Sequence, residues 1–144
     1  MGDLYNIQRF VERQKEDFPI ALREIKNGRK VSHWMWWIFP QLKELGYSST
    51  SKYYGISGLE EAKAYLKEPY LRENMQTICN VLLALDTNDA HRVIGAPDDL
   101  KLRSSMTLFA LAEPEINVFQ KVLDKFYQGQ MDEKTVRLLG VENR

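Results

Sequence analysis

The sequence is poor in cysteine and has no excess charge of either sign. Its one cysteine, Cys79, can form neither an internal disulfide nor a multi-cysteine metal site. The 20 basic residues are matched by 20 acidic ones, whereas proteins that bind duplex DNA normally carry a basic excess. The balance therefore disfavours nucleic acid as a partner, and it does not favour an anionic membrane surface.

Long hydrophobic runs are also missing. No uncharged stretch approaches the roughly 20 residues that cross a bilayer. The amino terminus has charges at Arg9, Glu12 and Arg13 and lacks the apolar centre of a signal peptide. We therefore expect a soluble, cytoplasmic protein without a membrane partner. The 44% of hydrophobic residues suffice for a core, and 144 residues suit one domain over residues 1–144.

Apolar residues recur at helical spacing along most of the chain. No segment shows the sustained alternation of a β-strand. Cys79 lies in one of the apolar runs, so we expect it to be a buried small side chain. The sequence predicts an all-α fold: a single compact multi-helix domain of about seven to nine helices, packed orthogonally or as a bundle.

Capping and breaking residues predict the helix ends in the first part of the chain. Asp3 is expected to cap the first helix. A break at residues 17–19 predicts a new helix with Pro19 in its first turn, ending at Gly28. Pro40 is expected to begin a short helix that Gly46 ends, and an ordered loop with at most one helical turn follows over residues 47–56.

The second part of the chain has clearer boundaries. Residues 57–60 match a capping box, in which Ser57 and Glu60 satisfy each other's backbone donors at a helix start. Pro69 closes that helix and begins what the pattern predicts to be the longest one. The remaining predicted helices span residues 90–94, about 100–112, 118–126 and 132–139.

The first of two unusual segments, residues 29–41, places polar residues among tryptophans. One interpretation is a tryptophan-rich core helix in which His33 bonds a neighbour. The other is a pocket, with Trp34 or Trp36 stacked on a flat ring and His33 as general acid–base. Three further side chains would then supply polarity to the pocket: Arg29, Lys30 and Gln41.

The second unusual segment, residues 98–109, carries basic and hydroxyl side chains in the first turns of a helix. Cations there oppose the helix dipole, so they need a negative partner. That partner is either internal, since Asp98 and Asp99 are nearby, or a bound phosphate or carboxylate. In the second case the anion would be held by four residues: Lys101, Arg103, Ser104 and Ser105.

The chain carries the runs GRKVSHWMWWIFPQL at residues 28–42 and GAPDDLKLRSSMTLF at residues 95–109. With Tyr53-Tyr54-Gly55-Ile56, they resemble the domain-of-unknown-function family eighteen-ten, from about residue 4 to residue 139. The resemblance implies an all-helical fold and no established activity, so no catalytic residue is carried over. Some members bear the label calpastatin, which does not suit a compact domain.

The predicted function is a small-molecule site that binds or processes a phosphorylated or nucleotide-like ligand. The alternative is a non-enzymatic helical module that recognises a protein partner through exposed tryptophans. The pattern names no cofactor and leaves open whether the chain is an enzyme. It predicts no metal site, because His33 and His91 are far apart and Asp98 with Asp99 is too small a ligand set; His91 is expected on the surface.

Overall fold

The computed structural model describes residues 3–140, which form nine α-helices and one 3₁₀ turn, Lys43–Leu45. The helices are α1 Gln8–Lys26, α2 Met35–Ile38, α3 Ser49–Tyr53, α4 Leu59–Lys67, α5 Pro69–Ala84, α6 Ala90–Ile94, α7 Asp98–Ala112, α8 Val118–Tyr127 and α9 Glu133–Leu139. Over this range β-pairing is limited to an isolated parallel bridge between Leu42 and Ile56. The predicted all-α fold is confirmed. Within residues 3–140, no helix combines the length and hydropathy needed to cross a bilayer.

Helix α1 continues through Pro19, so the predicted break at residues 17–19 is wrong. Proline has no N–H, which leaves the carbonyl of Lys15 without its intrahelical donor. Both residues are exposed, so water can bind that carbonyl. On the buried side, Phe18 and Ala21 hold α1 in the core, where it packs on α2 and α5. As a result α1, with 19 residues, is longer than α5, with 16.

Helix α7 lies at the centre of the molecule. Nine of its 15 residues are buried, and it packs against α4, α6, α8 and α9. The Phe109 ring lies 5.1 Å from that of Tyr65 and 5.7 Å from that of Phe119. Cys79 is fully buried beside Met106, as its apolar run predicts, and burial raises the pKa of its thiol. Helix α7 is therefore enclosed by neighbouring helices on most sides.

A buried ion pair joins the start of α1 to α4. Arg9 Nη2 lies 2.7 Å from Glu61 Oε2, and the two side chains are 8% and 5% exposed. The remaining guanidinium N–H groups donate to main-chain carbonyls of Tyr5, Asn6, Tyr53 and Gly55. Glu61 also accepts the N–H of Ser57 at 2.9 Å. The predicted capping box with Glu60 is therefore wrong, because Glu61 fills that place and Gly58 precedes α4.

Several other predicted helix ends are confirmed. The Asp3 carboxylate accepts the N–H groups of Ile7 and Gln8, both at 2.7 Å. Gly28, with φ of +82°, follows the end of α1, as expected for a left-handed terminating residue. Asp132 caps α9 by accepting the N–H of Thr135 at 2.9 Å. These ends depend on local chemistry, so the sequence is enough to place them.

Candidate functional site

A carboxylate near the end of α1 organises the segment that follows the helix. Glu24 accepts the N–H groups of Val31 at 2.8 Å and Ser32 at 2.9 Å. It also accepts the Ser32 hydroxyl at 2.6 Å and the indole N–H of Trp34 at 2.9 Å. Glu24 is only 9% exposed, so these four donors replace its water. They hold the start of the tryptophan-rich segment against α1.

The same four hydrogen bonds stabilise the charge on Glu24. Burial alone would raise the pKa of this carboxyl, but the hydrogen bonds from Ser32, Val31 and Trp34 outweigh burial. Together they lower the pKa of Glu24 from its ordinary 4.5 to about 2. Glu24 is therefore an ionised acceptor at neutral pH, and its charge helps to fix the backbone of residues 31 and 32.

The two unusual segments meet at Asp98, the first residue of α7. Its carboxylate lies 3.1 Å from Lys30 Nζ and 3.0 Å from Lys101 Nζ. Lys101 Nζ in turn lies 4.0 Å from the centre of the Trp36 ring. Burial opposes ionisation of Asp98, but Lys101 and Lys30 outweigh it and lower its pKa. The two predicted lysines are thus close together, and the one carboxylate of Asp98 pairs with both.

The aromatic segment packs mainly inward. Trp34 is 1% exposed, with Lys30 Nζ 4.9 Å from its ring centre, and Trp36 is half-buried under Lys101. Gln41 is buried, and its main-chain carbonyl accepts the N–H of Ile56 at 2.9 Å. His33 is exposed. Of the two predicted stacking rings, Trp34 is therefore closed to a ligand.

The side chains of Arg103 and Ser104 donate hydrogen bonds to main-chain carbonyls of the protein itself. The Arg103 guanidinium donates to the carbonyls of Gln130 at 3.0 Å and Met131 at 2.9 Å, which ties α7 to the connection between α8 and α9. Ser104 donates to the carbonyl of Leu100 at 3.1 Å. Both predicted anion ligands thus use donors of their side chains within the protein.

Ser105 is fully buried, and its hydroxyl has no hydrogen-bond partner among residues 3–140. An unpaired buried hydroxyl costs about 1–3 kcal/mol, whereas the cavity left by one oxygen is small. We expect Ser105→Ala to raise the free energy of unfolding by about 1 kcal/mol, measured by urea denaturation. Ser104→Ala is the matched control and should not stabilise. If Ser105→Ala instead destabilises by that amount, the hydroxyl has a bound partner, as a ligand role would require.

A cleft lies between the end of α1 and helix α6. Residues 27–30 form one wall and residues 91–95 the other, and together they enclose a volume of about 620 Å³. The main-chain N–H of Lys30 donates to the carbonyl of Val93 at 2.7 Å, which joins the two walls. The Glu24 hydrogen bonds fix the chain directly after the first wall. The cleft is therefore shaped before any ligand binds.

The charged side chains of this cleft are basic. Arg29 and Arg92 are both exposed, and neither lies within 4.0 Å of a carboxylate of the part of the chain that the structure describes. His91 is 70% exposed, and its Nδ1 lies 3.8 Å from Asp99 Oδ2. The lysine of the wall, Lys30, is paired with Asp98. Two arginines without a described carboxylate partner thus line one concave surface, an arrangement that suits an anion.

The sequence indicates only part of this site. Arg29 and Lys30 belong to the predicted set, whereas His91 and Arg92 do not, because they lie in a short polar helix that contains no motif. His91 is on the surface, as expected. Residues 29 and 92 line one cleft because α6 packs beside the end of α1. No local sequence pattern indicates that packing. Among the described residues, no group of three His, Cys, Asp or Glu side chains is placed to hold a metal ion.

Comparison with known proteins supports the fold and names no activity. The sequence model of the family described as "Protein of unknown function (DUF1810)" matches residues 4–139. The crystal structure of the conserved hypothetical protein Rv1873 from Mycobacterium tuberculosis matches with a TM-score of 0.94 and 41% sequence identity. The match covers 97% of this chain and 100% of that one. No curated protein matches the chain.

Proposed function

Because this chain belongs to the DUF1810 family, whose description names no activity, we propose a function from its own residues: it binds a phosphorylated small molecule. The site is the basic cleft between residues 27–30 and residues 91–95. The observation that carries the proposal is that Arg29 and Arg92, from distant parts of the chain, line one cleft without a described carboxylate partner.

Electrostatics favours an anion at this place. Like charges that share one concave surface repel each other, and an anion bound between them removes that repulsion. Arginine presents a planar fork of donors that matches two oxygens of a phosphate group. Lys30 contributes less, because its ammonium group already pairs with Asp98 at 3.1 Å. The two arginines are therefore the principal anion ligands of the proposal.

The remaining predicted residues have other roles in this proposal. Lys101, Arg103 and Ser104 bind groups of the protein itself. His91 lines the cleft and His33 does not. In the described part of the chain, His91 carries the one imidazole that lines this cleft, so any proton transfer to a ligand there falls to His91. The half-buried Trp36 and the buried Trp34 give the alternative of a protein-binding tryptophan surface no support.

Arg29→Gln and Arg92→Gln test the proposal. A hydrogen bond to a charged group contributes about 1.5–3 kcal/mol, so each replacement is expected to weaken binding about 10-fold to 100-fold. The measurement is isothermal titration with inorganic phosphate and a set of phosphate esters, supported by thermal shifts. A ligand at 100 times its Kd adds about 2.7 kcal/mol of stability.

Arg137→Gln is the matched control for these titrations. Arg137 is an exposed arginine of α9 and does not line the cleft, so its replacement changes the net charge equally and should leave binding unchanged. If the Arg29→Gln/Arg92→Gln double variant binds phosphate esters as tightly as the unaltered protein, the site is elsewhere and the proposal is wrong.

A further inference from the structure

The cleft is larger than one phosphate group requires. Its volume of about 620 Å³ lies within the range of about 300–1,000 Å³ that is usual for small-molecule sites. A single phosphate displaces only a few waters, each of which takes about 30 Å³ of the liquid. An anion bound to the arginines would therefore leave most of the cleft to a carrier group. The chemistry of the walls shows what kind of carrier fits.

The walls offer polar contacts and little apolar surface. None of the described residues that line the cleft is Trp, Tyr or Phe, and His91 supplies the one ring. Val93 and Ile94 are 1% and 5% exposed, so their side chains belong to the core. What remains toward the cleft is the exposed Asn27, two glycines and the charged side chains. A nucleobase binds by stacking on aromatic or apolar faces, and apart from the exposed His91 ring these walls offer none.

The nearby tryptophans do not provide an aromatic face on which a nucleobase could stack. Lys101 lies 4.0 Å from the centre of the Trp36 ring, and Lys30 lies 4.9 Å from that of Trp34. Trp34 is also buried. Neither tryptophan lines the cleft, and each already has a cation near its ring. A stacked base would have to displace a lysine that Asp98 holds in place.

We infer that the carrier is a hydroxyl-rich group, so that the ligand is a sugar or polyol phosphate rather than a nucleotide; the inference rests on the proposed function. Hydroxyl groups both donate and accept, and they match the amide of Asn27 and the main-chain carbonyls of Gly28 and Gly95. The N–H groups of the two glycines already donate to carbonyls of the protein, at 2.8 Å each. A Cβ built on either glycine would meet no atom within 4 Å. These stretches of backbone are therefore open to a ligand.

Ribose 5-phosphate and AMP form a matched pair of probes, because both carry a phosphorylated ribose and only AMP carries adenine. In titrations of the full chain, ribose 5-phosphate is expected to bind at least about 10-fold more tightly than inorganic phosphate. AMP is expected to bind no more tightly than ribose 5-phosphate. Asn27→Ala should weaken ribose 5-phosphate binding about 2-fold to 10-fold, the equivalent of one neutral hydrogen bond, and leave phosphate binding unchanged.

The outcomes separate this inference from the proposed function. If AMP binds 10-fold more tightly than ribose 5-phosphate, a base site exists and the inference is overturned, while the phosphate site stands. Equal affinity for inorganic phosphate and ribose 5-phosphate would also overturn the inference, because the carrier would add nothing. If none of the three probes binds, the proposed function itself is wrong.

Discussion

Replacing Arg9 by methionine is expected to lower the free energy of unfolding by about 3–5 kcal/mol, which is the usual cost of removing one partner of a buried ion pair. Methionine keeps much of the apolar stem but leaves the Glu61 carboxylate, 5% exposed, without its cation. Four main-chain carbonyls lose their donors at the same time. The measurement is urea denaturation followed by circular dichroism.

Arg13→Met provides the matched control for Arg9→Met. Arg13 also lies in α1 and pairs with Asp17 at 3.3 Å, but its side chain is 43% exposed. Exposed pairs contribute little, so we expect a loss of about 1 kcal/mol or less. Arg9→Lys keeps the charge and loses the forked geometry, so its loss of unfolding free energy should lie between those of the two methionine variants. It takes the place of Arg9→Met in the comparison if Arg9→Met does not fold. Equal losses for Arg9→Met and Arg13→Met would show that the buried pair adds no stability.

Glu24→Gln is expected to cost about 3 kcal/mol at neutral pH. The Glu24 carboxylate accepts four hydrogen bonds, and an amide accepts through one atom only, so its NH₂ group would oppose the remaining donors. A pKa lowered from 4.5 to about 2 corresponds to a similar energy, about 3 kcal/mol. Because these bonds fix the chain beside the cleft, Glu24→Gln should also weaken phosphate ester binding.

The pH dependence of stability gives a second readout for Glu24. Its pKa is lower in the folded state, so its contribution is fully present above pH 4.5 and is lost as the pH falls toward about 2. The difference in unfolding free energy between the unaltered protein and Glu24→Gln should therefore shrink across that window. Glu16→Gln removes the same charge at an exposed position of this helix and is the matched control. A difference that stays constant down to pH 2 would contradict the assigned hydrogen bonds.

Local sequence patterns predict most of the helices. They fail where a helix boundary depends on the solvent exposure of a main-chain group. Asp3, Gly28 and Asp132 act at helix ends as predicted, because a cap depends on a few neighbouring residues. Pro19 misleads the prediction, because the cost of a proline depends on whether water reaches the carbonyl that it leaves free. The side on which that carbonyl lies depends on packing against α2 and α5.

The two unusual segments are visible in the sequence, but their partners are not. Lys101 lies three residues after Asp98, so that pair can be predicted from helical spacing. Lys30 reaches Asp98 across 68 positions of the chain, and Arg103 reaches carbonyls 27 and 28 positions away. A prediction from the sequence can show that a cation needs a partner. It cannot show whether that partner is a ligand or another part of the protein.

The sequence by itself determined the helical class of this protein, the buried position of Cys79 and the two unusual segments, residues 29–41 and 98–109. Periodicity and capping are short-range, and the chain records them directly. Only the tertiary structure decided which charges are paired and which are free, because it places α6 beside the end of α1 and brings Arg29 and Arg92 to one cleft. That arrangement follows from the burial of apolar faces far apart in the chain, which no single segment encodes.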